Sequence, residues 1–230
     1  LQTTENARRR FVSDASHELK TPLAGIRLLT DSILQTDHMD EETTKEFVTD
    51  IGREAERLSR ITENLLRLTR LDSGVVQQPY PVAVAPGMER VERMLHMVAQ
   101  KKGVTISGTA DEDAVALATD DDVHQILYNL MENAIKYNRT GGRVSVATSM
   151  CDDKVCVSIS DTGYGVPDEF RDHIFQPFFR VDGSGNRTLG GIGLGLSLVW
   201  EIIHLHGGTV MISESNENGT VLLLEFPKAV

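Results

Sequence analysis

The sequence predicts an α + α/β chain in two parts. A helical hairpin that forms a dimeric four-helix bundle comes first, and a two-layer α/β sandwich follows. Two observations predict this fold: residues 1–73 show the periodicity of two long amphipathic helices, and residues 82–230 alternate between strand and helix patterns. Residues 74–81 contain two prolines and are predicted to be a linker between the two domains.

The first helix, predicted over residues 1–36, carries one broad apolar arc. At roughly 100° per residue, its apolar side chains fall on one side: Phe11, Val12, Ala15, Leu19, Leu23, Ile26 and Ile33. His17 lies opposite the centre of that arc, beside the carboxylate of Glu18. Thr21 lies one turn further on, just before Pro22. An exposed imidazole next to an acid is a plausible nucleophile, whereas a solvated surface histidine is the alternative that this stretch alone leaves open.

The second helix, predicted over residues 41–73, shows a heptad repeat, and Asp40 stands where it could cap the N-terminus. The apolar positions of the repeat are Ile51, Leu58, Ile61, Leu65 and Leu68. A helix roughly 50 Å long, at 1.5 Å per residue, cannot bury this stripe against one partner helix without leaving apolar surface. A homodimer is therefore expected, and a monomeric coiled-coil stalk is the alternative.

The second domain shows strand and helix patterns in alternation. Strands are predicted over 104–109, 115–119, 144–150, 155–160, 209–215 and 220–226, and helices over 87–102, 120–137 and 192–206. The turn Asn216-Glu217-Asn218-Gly219 joins the last two strands. These elements predict the two-layer α/β sandwich.

The helix predicted over 120–137 has a narrow polar face at spacing i, i+4, i+7, formed by Asn129, Asn133 and Lys136. A solvated polar face is the alternative, but asparagine is a poor helix former and an unusual choice for one. Asn133 offers an oxygen to Mg²⁺, a hard cation, and Lys136 suits a phosphate as a point charge. Tyr137 could pack on a nucleotide.

Five motifs occur in order along the chain. They are S-H-E-L-K-T-P-L at 16–23, N-L-M-E-N-A-I-K-Y at 129–137, D-T-G-Y-G at 161–165, F-Q-P-F-F-R at 175–180 and G-G-I-G-L-G-L at 190–196. In these motifs the chain resembles the sensor histidine kinases of two-component systems over nearly its whole length. Its second domain resembles the ATP-binding fold that these kinases share with type II topoisomerases and with chaperone and mismatch-repair ATPases.

The resemblance implies autophosphorylation of His17 by ATP and transfer to the receiver domain of a response regulator. It implies that Glu18 orients the imidazole or takes its proton, and that Thr21 serves in dephosphorylation of the regulator. The implied cofactors are ATP and Mg²⁺, with Asn133 as metal ligand. The implied nucleotide-binding residues are Asn129, Asn133, Lys136, Tyr137, Asp161, Gly163, Gly165, Arg187, Gly191, Gly193, Leu194, Gly195, Leu196 and Thr220.

Within that site, Asp161 is expected to accept the amino hydrogen of adenine. Residues 182–189 have the composition of a lid, and the glycines of the last motif open a helix whose amides can bind phosphate. Arg180 is a further candidate for phosphate contact. Two positions depart from the family pattern: Tyr164 is bulky for its place between glycines, and Ile192 stands where the family often has threonine.

Asn129 bears on the reaction. In the hydrolytic relatives a glutamate at this position activates water, and an amide cannot act as a general base at neutral pH. The sequence therefore favours a kinase over an ATP hydrolase of the same fold. A non-catalytic scaffold that only docks a regulator is the other alternative.

The bulk composition limits the partners. The net charge of −11 argues against a general nucleic-acid or anionic-membrane surface, because both need basic patches. No run of about 18 apolar residues is present. By resemblance, the full-length protein is expected to be membrane-anchored by a segment outside this sequence, with these residues forming a cytoplasmic domain.

Overall fold

The chain divides into two compact units, Leu1–Thr69 and Arg70–Val230. A computed structural model describes residues 2–36, 38–72, 77–181 and 192–229. The predicted order, a helical hairpin followed by an α/β domain, is confirmed. Among the described residues, no helix combines the length and the apolar character needed to cross a membrane.

The first unit contains α1 (Gln2–Gln35) and α2 (Glu41–Asp72). The predicted cap of α2 is confirmed, because the Thr43 backbone N–H donates to Asp40 Oδ1 at 2.8 Å. The Thr43 hydroxyl donates to Asp40 Oδ2 at 2.7 Å. These two hydrogen bonds hold the pKa of Asp40 below its ordinary value. The cap ends the turn and sets where α2 begins.

The two helices contact each other as a hairpin: Glu18 lies beside Arg57, and a Cβ at Gly25 would stand 3.9 Å from Glu54 Cγ. Ile61 and Leu68 of the heptad repeat are buried, and Pro22 of α1 is buried as well. Other apolar side chains of the hairpin stay exposed by half or more of their surface: Val12, Leu23, Leu28, Leu34, Val48 and Leu66. One hairpin alone therefore leaves an apolar surface uncovered, as the length argument predicted.

The second unit is built on a five-stranded sheet and three helices. The strands are β1 (Tyr80–Ala83), β2 (Thr105–Thr109), β3 (Val115–Ala118), β4 (Arg143–Cys151), β5 (Lys154–Asp161), β6 (Thr209–Asn216) and β7 (Gly219–Pro227). The helices are α3 (Val84–Lys102), α4 (Asp120–Lys136) and α5 (Gly195–Leu205), with a short 3₁₀ helix at Asp168–Phe170. The main sheet has the order β2-β4-β5-β7-β6, and β1 pairs with β3 in a separate two-stranded sheet.

The core lies between the helices and one face of the main sheet. Alternate residues of β4 and β7 are buried, while their neighbours on the other face are more exposed, which is the pattern of a sheet covered on one side. In the central strand β5, residues 155–157 are all buried. The buried residues of these strands include Val144, Val146, Val157, Ile159, Leu222 and Leu224. This arrangement is the predicted two-layer sandwich.

Three differences from the predicted elements exceed one residue. Strand β1 was not predicted, and it begins at Tyr80, inside the stretch assigned as linker. Helix α3 begins at Val84 rather than 87, because Pro86 falls in its first turn, where a missing N–H costs no intrahelical hydrogen bond. Helix α5 begins at Gly195 rather than 192.

Candidate functional site

Helix α4 presents amide side chains at the edge of the core. Its N-cap residue is Thr119, whose hydroxyl accepts a hydrogen bond from the Asp122 backbone N–H at 3.2 Å. Its apolar face packs into the core through Val123, Leu127, Leu130, Met131 and Ala134, as the predicted periodicity requires. Asn129 is buried and its Nδ2 donates to the Gln125 carbonyl at 2.9 Å, whereas Asn133 and Lys136 are half-buried, so this face is not fully solvated.

The N-terminus of α5 lies directly against these amides. A Cβ atom at Gly195 would stand 3.0 Å from Asn129 Oδ1 and 3.8 Å from Asn133 Nδ2. Leu194, the N-cap residue, is buried, and no side chain caps the helix. Leu196 follows in the first turn and is half-buried. The first-turn amides of α5 therefore have the character of an anion site next to the asparagines of α4.

The phenylalanine motif is joined to the glycine motif through the backbone. The Phe178 N–H donates to the Gly193 carbonyl at 2.9 Å, and both residues have positive φ, 63° and 75°. A Cβ at Gly193 would stand 2.7 Å from the Phe178 carbonyl carbon, so only glycine fits. Arg187, Gly191 and the predicted lid at 182–189 lie outside the described residues.

The other end of the site is formed where β5 meets β7. Asp161 ends β5 and is paired with Thr220 in the ladder. Gly163 donates its backbone N–H to Asp161 Oδ1 at 2.8 Å, and Thr220 donates its own to the same carboxylate. Burial raises the pKa of Asp161 above its ordinary value, and these two hydrogen bonds oppose the shift. A half-buried carboxylate with this fixed orientation can select a hydrogen-bond donor.

The D-T-G-Y-G loop is held tightly between α4 and the β6–β7 turn. A Cβ at Gly163 would overlap the Tyr137 carbonyl oxygen, and one at Gly165, where φ is 71°, would overlap the Asn216 carbonyl oxygen. Tyr164 donates its N–H to the Tyr137 carbonyl at 3.3 Å. Its ring lies at the surface, 5.2 Å from the Arg139 guanidinium carbon, so its bulk does not disturb the loop.

Cationic groups surround Tyr137 at the end of α4. Lys136 Nζ lies 4.9 Å from the centre of the Tyr137 ring, a cation–π contact. Burial raises the pKa of the Tyr137 phenol, and the positive charge of Arg180 acts against that shift. Lys136 thus lies over this ring, which is 41% exposed, and Arg180 acts on the phenol through its charge. The arrangement offers an aromatic face and positive charge in one place.

Sequence reasoning missed Asn138, which is buried just after the α4 motif. Its Nδ2 donates to the Arg143 carbonyl at 2.9 Å, and its Oδ1 accepts from the Arg139 N–H at 2.9 Å and from the Thr162 hydroxyl at 3.2 Å. Asn138 thus links the end of α4 to the D-T-G-Y-G loop. Its position directly after the motif was the available signal.

In the first unit, His17 and Thr21 are exposed on α1. Within the described part of the chain, no hydrogen bond or ion pair involves the His17 imidazole, while its carbonyl accepts from the Thr21 hydroxyl at 3.2 Å. Glu18 is directed elsewhere: its Oε2 lies 3.5 Å from a terminal nitrogen of Arg57 on α2. Arg57 was not predicted, because a contact between two helices cannot be deduced from either one alone.

The side chains of α4 suit Mg²⁺ better than a metal ion whose ligands all come from the protein. The described residues hold no group of three or more His, Cys, Asp or Glu side chains that could enclose a metal. The Asn133 side chain makes no hydrogen bond to another described residue, which leaves its oxygen free to coordinate. Mg²⁺ usually takes one or two protein oxygens, waters and substrate phosphates, so this set fits it.

Two family models match the chain. The model described as "Histidine kinase-, DNA gyrase B-, and HSP90-like ATPase" matches residues 118–230. The model described as "His Kinase A (phospho-acceptor) domain" matches residues 7–74. The first match lies within the second unit of the fold, and the second match covers most of the first unit and ends five residues beyond it.

Individual relatives agree with the family models. The hybrid signal transduction histidine kinase D of Dictyostelium discoideum is 32% identical over 99% of this chain and 15% of its own length. The full-length histidine kinase ShkA, solved with AMPPNP, is 26% identical over 96% of this chain and 46% of its own, with a TM-score of 0.70. The histidine kinase ThkA, solved with the response regulator protein TrrA, has a TM-score of 0.75 over 99% of this chain and 66% of its own. At 24% identity, the ThkA match shows the fold alone. The chain spans less than half the length of the first curated relatives that it matches.

Proposed function

The chain belongs to the sensor histidine kinases of two-component systems, and we propose that it phosphorylates itself on His17 with ATP and passes the group to an aspartate of a response regulator. One observation carries this proposal. The same chain holds an exposed imidazole on α1 and, in its second unit, a nucleotide-type site with an amide at Asn129 where a hydrolase would need an acid.

In the second unit, one end of the described site would bind the adenine of ATP and the other end its phosphates. The Asp161 carboxylate would accept a hydrogen bond from the adenine amino group, and the Tyr137 ring would pack against the nucleotide. Lys136 and the first-turn amides of α5 would bind the phosphates. Asn133 would hold Mg²⁺, which when bound neutralises charge on the β- and γ-phosphates.

The transfer itself requires a nucleophile and a proton acceptor. A ring nitrogen of neutral His17 would attack the γ-phosphorus, forming the N–P bond while the bond from phosphorus to the leaving oxygen breaks and ADP departs. The phosphorylated ring then loses the proton from its other nitrogen. Glu18, the adjacent base, would orient the imidazole or accept that proton.

The site disfavours hydrolysis of ATP by water. The Asn129 amide cannot act as a general base, and its Nδ2 already donates a hydrogen bond to the Gln125 carbonyl. A water molecule at this point would lack a group to remove its proton, whereas the imidazole is itself the nucleophile. This supports phosphoryl transfer over a hydrolase or a passive scaffold.

We propose a homodimer in which two hairpins form a four-helix bundle. The exposed apolar residues of α1 and α2, such as Leu34 at 78% and Leu28 at 68% exposure, support this. Each such side chain gains about 1.5–3 kcal/mol when it is fully buried. Sedimentation equilibrium of the chain would test it, with a monomer at micromolar concentration as the contrary result.

The response regulator is expected to dock on the helical unit, where the phosphorylated residue would lie. We further propose that Thr21 of this chain takes part in dephosphorylation of the regulator. The native protein is proposed to be anchored in a membrane, with this part of the chain in the cytoplasm. The solved pair of ThkA with TrrA is such a kinase–regulator complex.

The deciding experiment uses γ-labelled ATP with Mg²⁺. We expect label to stay on the protein, stable in base and lost in acid, and to be absent from His17→Gln. The control is that His17→Gln still binds ATP, because its nucleotide site is in the other unit. Release of the label as free phosphate from the parent protein, or labelling of the variant, would contradict the proposal.

A further inference from the structure

The acid beside the predicted phosphoacceptor is engaged by a cation of the opposite helix. Glu18 Oε2 lies 3.5 Å from Arg57 of α2, and the same guanidinium lies 3.9 Å from Glu54 Oε2, one turn earlier on α2. The three side chains are 27–33% exposed, so water screens their charges only in part. Two carboxylates thus share one cation.

The ion pair is close but incomplete. The buried Oε2 atoms of Glu18 and Glu54 accept no hydrogen bond from any described residue, so the Arg57 contacts are electrostatic only. A buried carboxylate oxygen without a donor is costly, and either carboxylate would gain by finding one. The imidazole N–H of the neighbouring His17 is such a donor.

We propose that Arg57 is a positioning residue that holds Glu18 away from His17, so that autophosphorylation requires Glu18 to leave Arg57. This inference rests on the proposed kinase function. Glu54 competes with Glu18 for the guanidinium, and the pair of carboxylates sets how firmly Glu18 is held. The site therefore carries its own restraint on the base, within one helical hairpin.

The proposal predicts changes of opposite sign from two positions one turn apart. Arg57→Met removes the cation, and repulsion from Glu54 then drives Glu18 outward, so the autophosphorylation kcat should rise about threefold or more. Glu54→Gln removes the competitor and leaves Arg57 to Glu18 alone, so kcat should fall. The KM for ATP should not change in either variant, because the nucleotide site lies in the other unit.

Three controls make the result specific. Arg57→Lys keeps the charge and should behave like the parent protein. Arg53→Met is the matched control, since Arg53 lies one turn earlier on α2 and pairs with Asp50 at 2.7 Å on an exposed surface. In a Glu18→Gln background, Arg57→Met should no longer raise kcat, because the group that it releases is absent.

The test is full-chain autophosphorylation with ATP and Mg²⁺, together with urea unfolding of the same variants. An unchanged or lower kcat in folded Arg57→Met, or an equal rise in the Glu18→Gln background, would overturn the proposal. If Arg57→Met does not fold, the proposal would instead be overturned by a Glu54→Gln variant whose kcat equals or exceeds the parent value.

The two proposals fail separately. If the parent chain takes up no label, the proposed kinase function is wrong. Urea unfolding would still test whether Glu18 and Arg57 interact. Arg57→Met should then lower the urea midpoint less in the Glu18→Gln background than in the parent protein. Equal shifts in both backgrounds would show that Glu18 and Arg57 are not coupled.

Discussion

Asn138 and Thr162 join the end of α4 to the D-T-G-Y-G loop: the Thr162 hydroxyl donates to Asn138 Oδ1 at 3.2 Å. The same hydroxyl accepts from the Arg143 N–H at 2.8 Å, while Asn138 Nδ2 donates to the Arg143 carbonyl at 2.9 Å. One buried amide therefore fixes the end of α4, the start of β4 and the loop after β5. The loop position depends on this amide.

Replacing that amide should loosen the loop. Asn138→Ala leaves several buried polar groups without partners, and we expect a loss of about 2 kcal/mol or more in the free energy of unfolding. Affinity for ATP should fall as well. The measurement is urea unfolding of the full chain, with exposed Asn218→Ala as the control, which should stay within about 0.5 kcal/mol of the parent protein. An Asn138→Ala variant of parental stability would show that the linkage is dispensable.

Asn133→Ala should weaken binding of ATP in the presence of Mg²⁺ by about tenfold or more, that is by about 1.4 kcal/mol. The reason is that the variant loses the amide oxygen proposed to coordinate the metal. Titration calorimetry with and without EDTA separates the two contributions, because the variant and the parent protein should bind alike without metal. Equal affinities with Mg²⁺ would remove Asn133 from the metal site.

Thr21→Ala should keep autophosphorylation and lose dephosphorylation of the regulator. The hydroxyl lies one turn above His17 and could position a water in line with a phosphoaspartate. The alternative is that Thr21 only stabilises the helix before Pro22. Thr30→Ala is the matched control, since Thr30 also donates from α1 to the carbonyl four residues back, at 2.7 Å. Decay of the phosphorylated regulator with ADP is the measurement, and parental decay in Thr21→Ala would favour the alternative.

Asp161→Asn should raise stability at neutral pH while weakening ATP binding. Burial raises the folded-state pKa of Asp161, so the ionised group opposes folding above that pKa. An amide keeps the acceptor for Gly163 and lacks the charge. The gain in Tm should therefore be present at pH 7.5 and shrink as the pH falls toward the ordinary carboxyl value of about 3.9. A gain that grows on acidification would contradict the sign of this shift.

Gly165→Ala should be more damaging than Gly141→Ala. Both residues have positive φ, 71° and 81°, so both substitutions carry a backbone cost of about 1–2 kcal/mol. At Gly141 nothing lies within 4 Å of the added Cβ, whereas at Gly165 that atom would overlap the Asn216 carbonyl. The excess loss of stability in urea measures the close approach, and equal losses would mean that the β6–β7 turn yields freely.

Patterns within one element predicted most of the fold. The heptad of α2, the Asp40 cap and the alternation in β4, β5 and β7 are each read from neighbours in sequence. Strand β1 was missed because Pro81 cannot donate a backbone hydrogen bond and because, among the described strands, β1 pairs with β3 alone. Its short, proline-containing sequence looks like a linker, and only the pairing with residues 115–118 makes it a strand.

The residues of the site likewise fall into two groups, those that local motifs predict and those that depend on contacts between distant elements. Asn129, Asn133 and Asp161 stand in recognisable motifs, and the structure brings Gly195 against the first two. Arg57 and Asn138 depend on contacts between distant elements, so neither helix nor loop alone indicates them. Their roles follow from which polar groups the fold buries, and that is settled only when the elements pack.

Because Asp161 pairs with Thr220, the sheet tolerates insertions and deletions in some strands and not in others. Strand β7 pairs with β5 without irregularity, whereas β6, at the edge of the sheet, already shifts register between Ile212 and Glu214. A single inserted residue in β7 would turn its side chains to the opposite face and separate Thr220 from Asp161. An insertion in β6 or its turn can be absorbed as a bulge. Insertions and deletions should therefore accumulate in β6 over evolution and be eliminated from β7.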